Sequence, residues 1–307
     1  MGARAAAAVQ GNVFRHDAGG APARRWKQKE GRKRRKMTAT TVVMLLLMGC
    51  GGGFLAGLLG VGGGMVLVPF LVMLFDHAGH DPAMVVQTAL ATALATIMFT
   101  SLSSMRAHHR KGAVQWQLVW LLAPGILVGG QLGSRIVAWL PGRVLAVAFA
   151  LFVGWMGSRM LRGARRVEPD APARLPGRLG LAAVGTGIGF LSAIFGAGGG
   201  FVTVPFLNSR GVPLPKAIAT SAACGFPIAF SGTLGYMVMG WWQGLPGGAL
   251  AYLDLRALFT VVPMSMLFAP VGAYMAHRLP VPTLKRAFAC LLFGLAGYML
   301  VRAIRGA

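Results

Sequence analysis

Gly57-Leu-Leu-Gly-Val-Gly-Gly-Gly-Met-Val-Leu-Val-Pro-Phe-Leu71 is a run of glycines set in apolar sequence and followed by a proline. A second copy, Gly196-Ala-Gly-Gly-Gly-Phe-Val-Thr-Val-Pro-Phe-Leu207, begins 136 residues after Gly60 and matches Gly60 to Leu71 at nine of twelve positions. We therefore interpret the chain as an internal duplication in which each half carries the same glycine- and proline-containing motif.

Three consecutive glycines in each copy, Gly62 to Gly64 and Gly198 to Gly200, predict a break in a helix. Each glycine lowers helix propensity by about 1 kcal/mol relative to alanine. The apolar residues that follow would start a new short helix, whose first N–H groups have no intrahelical partner and carry the positive end of the helix dipole. The sequence therefore predicts an anion site at each break.

A proline follows each glycine run and adds to this prediction. Pro69 and Pro205 cannot donate to the carbonyls of Met65 and Phe201 four residues earlier, so those oxygens are left for a ligand, an ion or water. Irregular backbone is tolerated at membrane depth only where protein buries it or where it lines a watery cavity. The repeated break is therefore a candidate substrate site.

Two other interpretations fit a glycine run. Small residues let membrane helices pack closely, which explains a single run but not the duplication of the whole pattern. A phosphate-binding loop requires Lys followed by Ser or Thr after the glycines, and neither copy has that pair. The sequence thus contains no nucleotide or other cofactor motif, and we predict no cofactor.

The composition is that of a membrane protein with several spans. Of 307 residues, 55% are hydrophobic and 12% charged, and the mean hydropathy is +0.64, values outside the range of soluble domains. The net charge is +23, with eleven of the 30 Lys and Arg in residues 1–36. We expect residues 1–38 to be a disordered cytoplasmic tail that contacts anionic lipid headgroups, with no nucleic-acid partner.

The sequence predicts neither a metal site nor an enzyme active site. Cys50, Cys224 and Cys290 lie far apart in apolar segments, as buried hydrophobes do. His77 and His80 have a metal-like spacing, but nothing completes a site, and we predict a polar loop and no metal. No nucleophile with a base and no paired carboxylates lie in the predicted spans, so we predict that the protein is not an enzyme.

The fold class that we predict is an all-α polytopic membrane protein with two four-span repeats and Gly-rich broken or re-entrant helices. Residues 39–161 form the first transmembrane repeat, 162–178 an Arg- and Pro-rich cytoplasmic linker, and 179–303 the second repeat. The acidic loop 76–82 should face outward and both termini inward, in the cell (inner) membrane. An even number of spans per half implies parallel repeats, whereas an odd number would invert them.

The order of motifs resembles the sulfite exporter TauE/SafE family of membrane permeases. Each Gly-x-Gly-Gly-Gly-x-x-x-x-Pro-Phe-Leu sequence precedes an Ala-x-Ala-Thr helix, at 89–92 and 217–220, and then a Pro-to-Gly helix, at 124–133 and 263–272. The resemblance covers roughly residues 41–303. It implies an eight-span-like transporter of small anions, often sulfite or organosulfonates. The chain departs from it in its basic tail and in Ser221, where the first copy has Ala93.

The expected function is permeation of small, sulfur-containing anions through one central site. Backbone N–H groups and the hydroxyls of Thr92, Thr220 and Ser221 can bind an oxyanion without a buried positive charge. The alternatives are a non-transporting membrane scaffold or sensor and a passive anion channel. The residues predicted to bind substrate are Gly62, Gly63, Gly64, Met65, Pro69, Thr92, Gly198, Gly199, Gly200, Phe201, Pro205, Thr220 and Ser221.

Overall fold

The computed structural model describes residues 39–60, 63–161, 175–245, 247–275 and 281–305, all of them in helices, turns or irregular segments. The described residues form ten α-helices: α1 (Ala39–Leu59), α2 (Gly64–Ala78), α3 (Val85–Arg110), α4 (Trp116–Trp139), α5 (Gly142–Leu161), α6 (Arg178–Phe195), α7 (Gly200–Ser209), α8 (Leu214–Trp242), α9 (Leu255–Met275) and α10 (Val281–Arg305). The predicted all-α class is confirmed. The predicted tail 1–38 and most of the linker 162–178 lie outside the described residues.

Six of these helices are long and apolar enough to cross a membrane. They are α1, α3, α4, α6, α8 and α9, found among the residues that the structure describes. α2 is a shorter apolar helix of 15 residues, and α7 has 10. The protein is thus a multi-pass helical membrane protein in which two short helices follow the glycine runs.

Both predicted helix breaks are present. α1 ends at Leu59 and α2 begins at Gly64, and the intervening Gly60 and Gly63 have φ angles of 65° and 69°. In the second half Gly196 and Gly199, which lie between α6 and α7, have φ angles of 58° and 76°. These left-handed conformations cost glycine little, whereas a Cβ atom disfavours them. The glycines therefore allow the chain to reverse direction here.

α1 packs closely along α9 because glycines line its contact face. A Cβ atom at Gly49 would lie 2.7 Å from the carbonyl oxygen of Val261, and one at Gly53 would overlap the backbone of Ser265. A Cβ atom at Gly57 would overlap the carbonyl of Ala269. Residue numbers increase together along the two helices, so α1 and α9 run parallel.

α6 packs along α4 in the same manner. The backbone of Ala182 lies against Gly125, and that of Thr186 lies against Gly129. Farther along, a Cβ atom at Gly133 would lie 2.6 Å from the carbonyl oxygen of Phe190. α4 and α6 therefore also run parallel, again with backbone against backbone.

Side-chain contacts show which helix ends share a face of the molecule. We call one end the acidic face, because Asp76, Asp81 and Asp254 lie there. The end of α2 meets the end of α10 through Asp76 and Arg302. The start of α9 meets the loop after α2 through His80 and Asp254, and Gln87 Nε2, near the start of α3, donates to Leu140 O at the end of α4.

We call the opposite end the basic face, because Arg110, Lys111 and Arg178 lie there. The end of α3 meets the start of α4, where Trp116 donates to His109. The end of α9 lies nearby, since the Lys111 ammonium is 4.9 Å from the centre of the Tyr274 ring. α3 therefore runs from the acidic to the basic face, and α4 returns.

The glycine contacts of α1 make a matched pair of substitutions informative. In Gly57→Ala the added methyl group would collide with the α9 backbone, and overpacking of this kind costs about 1–3 kcal/mol. In Gly51→Ala, on the exposed face of α1, the methyl group meets nothing within 4 Å. We expect Gly57→Ala to lower the thermal unfolding midpoint of detergent-purified protein and Gly51→Ala to leave it unchanged or raise it. Equal midpoints for the two variants would contradict the backbone contact.

Candidate functional site

The two glycine breaks touch each other inside the protein. A Cβ atom at Gly64, the first residue of α2, would overlap the carbonyl oxygen of Gly196 and lie 2.6 Å from Cδ1 of Ile97. A Cβ atom at Gly196 would lie 2.7 Å from Val68 of α2. Segments that are far apart in sequence thus form one central contact, built largely from backbone.

The start of α2 carries buried N–H groups for which the described part of the chain supplies no acceptor. Gly63 occupies the N-cap position and offers no side chain to the helix, and its carbonyl accepts the N–H groups of Val66 and Leu67. Within the described residues, the N–H groups of Gly64 and Met65 meet no acceptor, although both residues are buried. A buried helix start without partners is unusual, because such groups normally find a cap or water.

The start of α7 has a similar geometry. Gly199 is its N-cap, again without a side-chain hydrogen bond, and its carbonyl accepts the N–H groups of Val202 and Thr203. Gly200 and Phe201 are buried at the first two positions of the helix. α9, which begins beside the acidic face, is capped by a carboxylate, since Asp254 Oδ1 accepts the Ala257 N–H at 2.8 Å.

Of the remaining predicted backbone positions, Gly198 lies beside two other helices. The Gly198 carbonyl lies near Gly225 of α8 and Ser101 of α3, since a Cβ atom at Gly225 would be 3.8 Å from that carbonyl oxygen. Pro69 is buried within α2, and Pro205 is partly buried within α7. Gly62 lies outside the described residues.

Ser221 binds the first glycine break directly. Its hydroxyl donates to the carbonyl oxygen of Gly60 at 2.9 Å, and the side chain is fully buried. Gly60 also packs on α8 at Ile218, whose carbonyl oxygen would lie 2.5 Å from an added Cβ atom. Because Ser221 donates to protein backbone here, the bond fixes the position of the break.

Thr92 and Thr220 hold the starts of two other helices. The backbone N–H of Asp254, just before α9, donates to Thr92 Oγ1 at 3.1 Å. The backbone N–H of Gln115, just before α4, donates to Thr220 Oγ1 at 3.1 Å. Both threonines are buried, and each hydroxyl thereby joins the two halves of the chain.

One buried hydroxyl that the sequence did not single out is Thr203 of α7. Its side chain is fully buried, and its oxygen has no hydrogen-bond partner among the described residues. Thr203 lies in the first turns of α7, where Cα–Cβ bonds tilt toward the helix start. The sequence contains only one indication of Thr203, namely that this polar residue stands where the first glycine copy has Leu67.

An ion pair and a hydrogen bond fix the returning end of α2 at the acidic face. Arg302 donates to both carboxylate oxygens of Asp76, at 2.6 and 2.9 Å, and its side chain is only 3% exposed. His80 Nε2 lies 3.2 Å from Asp254 Oδ2. Burial alone would raise the pKa of Asp254, but hydrogen bonds from His80, Ala257 and Arg256 hold that pKa below its usual value.

The predicted polar loop at 76–82 is therefore a structured connection. His77 Nδ1 donates to the carbonyl oxygen of Met73 in its own helix at 2.7 Å, and the His80 ring lies against Phe75. Among the described residues, no group of three His, Cys, Asp or Glu could hold a metal ion.

Comparison with known proteins gives a consistent result. The family model described as "Sulfite exporter TauE/SafE" matches residues 45–299. A probable membrane transporter protein of Haemophilus influenzae is 35% identical over 251 residues, which is 81% of this chain and 94% of the relative. The probable membrane transporter protein YdhB of Bacillus subtilis is 27% identical over 258 residues, 81% of this chain and 96% of the relative. No solved structure matches the chain significantly.

The threonine contacts predict a clear difference between two substitutions. Thr92→Val removes the acceptor of a partly buried N–H, which costs about 1–3 kcal/mol, whereas Thr92→Ser keeps the hydroxyl. We expect Thr92→Val to lower the thermal midpoint clearly more than Thr92→Ser, and Thr220→Val to behave like Thr92→Val because it leaves the Gln115 N–H without its acceptor. Identical midpoints for Thr92→Val and Thr92→Ser would show that the contact does not stabilise the fold.

The ion pair between Arg302 and Asp76 predicts that a second substitution can restore stability lost by the first. Arg302→Leu leaves the partly buried Asp76 carboxylate without its partner, and breaking such pairs costs about 3–5 kcal/mol when both groups are buried. Adding Asp76→Leu removes the uncompensated charge, so the double variant should regain much of the lost thermal stability. Arg305→Leu, exposed at the end of the same helix, is the control and should behave like the parent protein. A double variant less stable than Arg302→Leu would contradict this interpretation.

Proposed function

This chain belongs to the sulfite exporter TauE/SafE family of membrane transporters, and we propose that it moves small oxyanions through the place where its two glycine breaks touch. The protein is a transporter and not an enzyme. The proposed substrates are sulfur-containing anions such as sulfite or organosulfonates, in keeping with the family's description. The bilayer of the cell (inner) membrane is the other partner.

One observation carries the proposal: the buried N–H groups of Gly64 and Met65 at the start of α2 have no acceptor among the described residues. Two convergent N–H donors and the positive end of a helix dipole form a site for an oxyanion. Neither glycine copy, 60–71 or 196–207, contains a charged residue. An anion held only by dipoles is bound less tightly than one paired with a buried cation, which suits release after transport.

The packing of the breaks favours a transporter over a channel that stays open. Gly64 and Gly196 are in direct contact, with no room for a side-chain carbon between them. An anion can reach the N–H groups only when these two segments separate. The site is then open to an anion in some conformations and closed to it in others. Coupled transport requires such a change, because a permanently open path would be a channel.

Thr92, Thr220 and Ser221 support the site in this proposal by positioning its walls. Ser221 holds the Gly60 carbonyl, and the two threonines hold the starts of α9 and α4. Thr203 is the better candidate for direct contact, because its hydroxyl is buried and has no partner among the described residues. A hydroxyl there could donate to an anion bound at the start of α7.

Flux measurements test the proposal. Purified protein in liposomes should take up radiolabelled sulfite or a small sulfonate, and should not take up a monovalent cation. Gly64→Leu fills the contact with Gly196, so a well-folded variant should lose roughly tenfold or more of the flux, the factor that ~1.4 kcal/mol represents. Gly51→Leu, on the exposed face of α1, is the matched control and should transport normally.

The competing functions give different results in this experiment. Flux that survives intact in a well-folded Gly64→Leu variant would place the site elsewhere. Absence of flux for every anion in the parent protein would favour a membrane scaffold or sensor. Flux that shows no saturation with substrate concentration would favour a passive channel.

A further inference from the structure

The two glycine breaks belong to hairpins whose ends lie at opposite faces. α1 runs parallel to α9, so it begins at the acidic face, and near its end the Gly57 carbonyl meets His108 Nε2 at 3.1 Å, close to the basic end of α3. α2 then returns to the acidic face, where Asp76 meets Arg302. The first hairpin, α1–α2, therefore begins and ends at the acidic face.

The second hairpin has the opposite direction. α6 runs parallel to α4 and so begins at the basic face, and near its end Tyr236, close to the acidic end of α8, donates to the Ala193 carbonyl at 3.2 Å. α7 then returns, because the Leu207 carbonyl near its end accepts the Val212 N–H just before α8, and the first turns of α8 meet the start of α4 through Thr220 and Gln115. The second hairpin, α6–α7, therefore begins and ends at the basic face.

The contacts of the two hairpins are equivalent residue by residue. Gly49 packs against Val261, and Gly185, 136 residues after Gly49, packs against Leu122, 139 residues before Val261. The same two offsets relate Gly53 beside Ser265 to Gly189 beside Ile126. They also relate Phe54 beside Gly272 to Phe190 beside Gly133. Each hairpin thus uses the same surface against the corresponding helix of the other half.

The tip of each hairpin also packs against a helix of the other half. Gly60, at the first tip, packs against Ile218 of α8, and Gly196, at the second tip, packs against Leu90 of α3. Leu90 and Ile218 occupy the same place in the Ala-x-Ala-Thr motif, at 89–92 and 217–220. Two helices of opposite direction therefore receive the two tips through matching residues.

We propose that the halves are an inverted pair in which the two hairpins enter from opposite membrane faces and overlap at the central anion site. Because α2 and α7 return to the faces where α1 and α6 begin, the two hairpins add no net crossing. Each half then makes three crossings, in α3 to α5 and in α8 to α10, and the two helices that the composition did not single out, α5 and α10, have 20 and 25 residues. This odd number inverts the second half, in place of the parallel arrangement that the sequence predicted. The functional part of this inference, one site that can face the two sides in turn, rests on the proposed function.

The distribution of charge assigns the faces. Among the described residues, the basic face carries Arg106, Arg110, Lys111, Arg178, Arg210 and Lys216. The acidic face carries Arg135, Arg143, Arg256, Arg302 and Arg305 together with three carboxylates, so its net positive charge is smaller. The positive-inside rule then makes the basic face cytoplasmic. Ala39 and Arg305 lie at the other face, whereas cytoplasmic termini were predicted from the basic tail, the loop at 106–111 and the Arg-rich linker. A long segment such as the tail follows the rule only weakly.

Single cysteines test the inverted arrangement without any transport measurement. In a variant with Cys50, Cys224 and Cys290 replaced by Ala, cysteine is introduced as Ala83→Cys after the first hairpin or Ser209→Cys at the end of the second, both exposed. Arg305→Cys and Lys111→Cys are controls for the acidic and basic faces. A membrane-impermeant maleimide is applied to intact cells and to lysed cells.

We expect Ala83→Cys and Arg305→Cys to share one labelling side, and Ser209→Cys and Lys111→Cys to share the other. Parallel repeats place Ala83 and Ser209 on the same side, and that result would overturn the inference. The inverted arrangement and the proposed transport function can fail separately. The expected labelling without anion flux would support the inverted hairpins and overturn the transport function. Anion flux with Ala83 and Ser209 labelled from the same side would support transport and overturn the inversion.

Discussion

The central architecture depends on the absence of a side chain at a few backbone positions. Gly64 and Gly196 can touch only because neither has a Cβ atom, and the chain can turn before each short helix only because Gly63 and Gly199 adopt left-handed conformations. The same glycines that end one helix therefore expose the start of the next. The close approach of the two breaks and the lack of a side-chain cap at the starts of α2 and α7 both result from the requirement for glycine at these positions.

The hairpins also depend on helices that come from the other half of the chain. α1 lies against α9 and α6 lies against α4, backbone on backbone, so neither half can bury its first helix without the other. Thr92 and Thr220 add hydrogen bonds across the same boundary. A tilt of one half relative to the other would consequently act on both hairpins, which is how a rigid pair of units could open a shared site.

The sequence predicted the local features well, because helix propensity and φ preference act over a few residues. The all-α class followed from the long apolar segments of a membrane-protein composition, and both breaks followed from the glycines and prolines. The roles of Ser221, Thr92 and Thr220 could not be predicted, since their partners lie 105 to 162 residues away. Arg302 and Asp76 are 226 residues apart, and no periodicity signals such a pair. The direction in which α2 leaves the first break also depends on distant partners such as Arg302, and the spacing of the glycines does not determine it.

The two hairpins are alike in backbone but not in how firmly they are held. The returning end of α2 is tied to α10 by a bidentate ion pair and to α9 through His80 and Asp254. Within the described part of the chain, no ion pair holds the end of α7, which is also five residues shorter. A short helix with fewer anchors needs less free energy to shift than a longer, pinned one. If the contact between Gly64 and Gly196 opens to admit an anion, α7 and its glycines should therefore move while α2 stays in place.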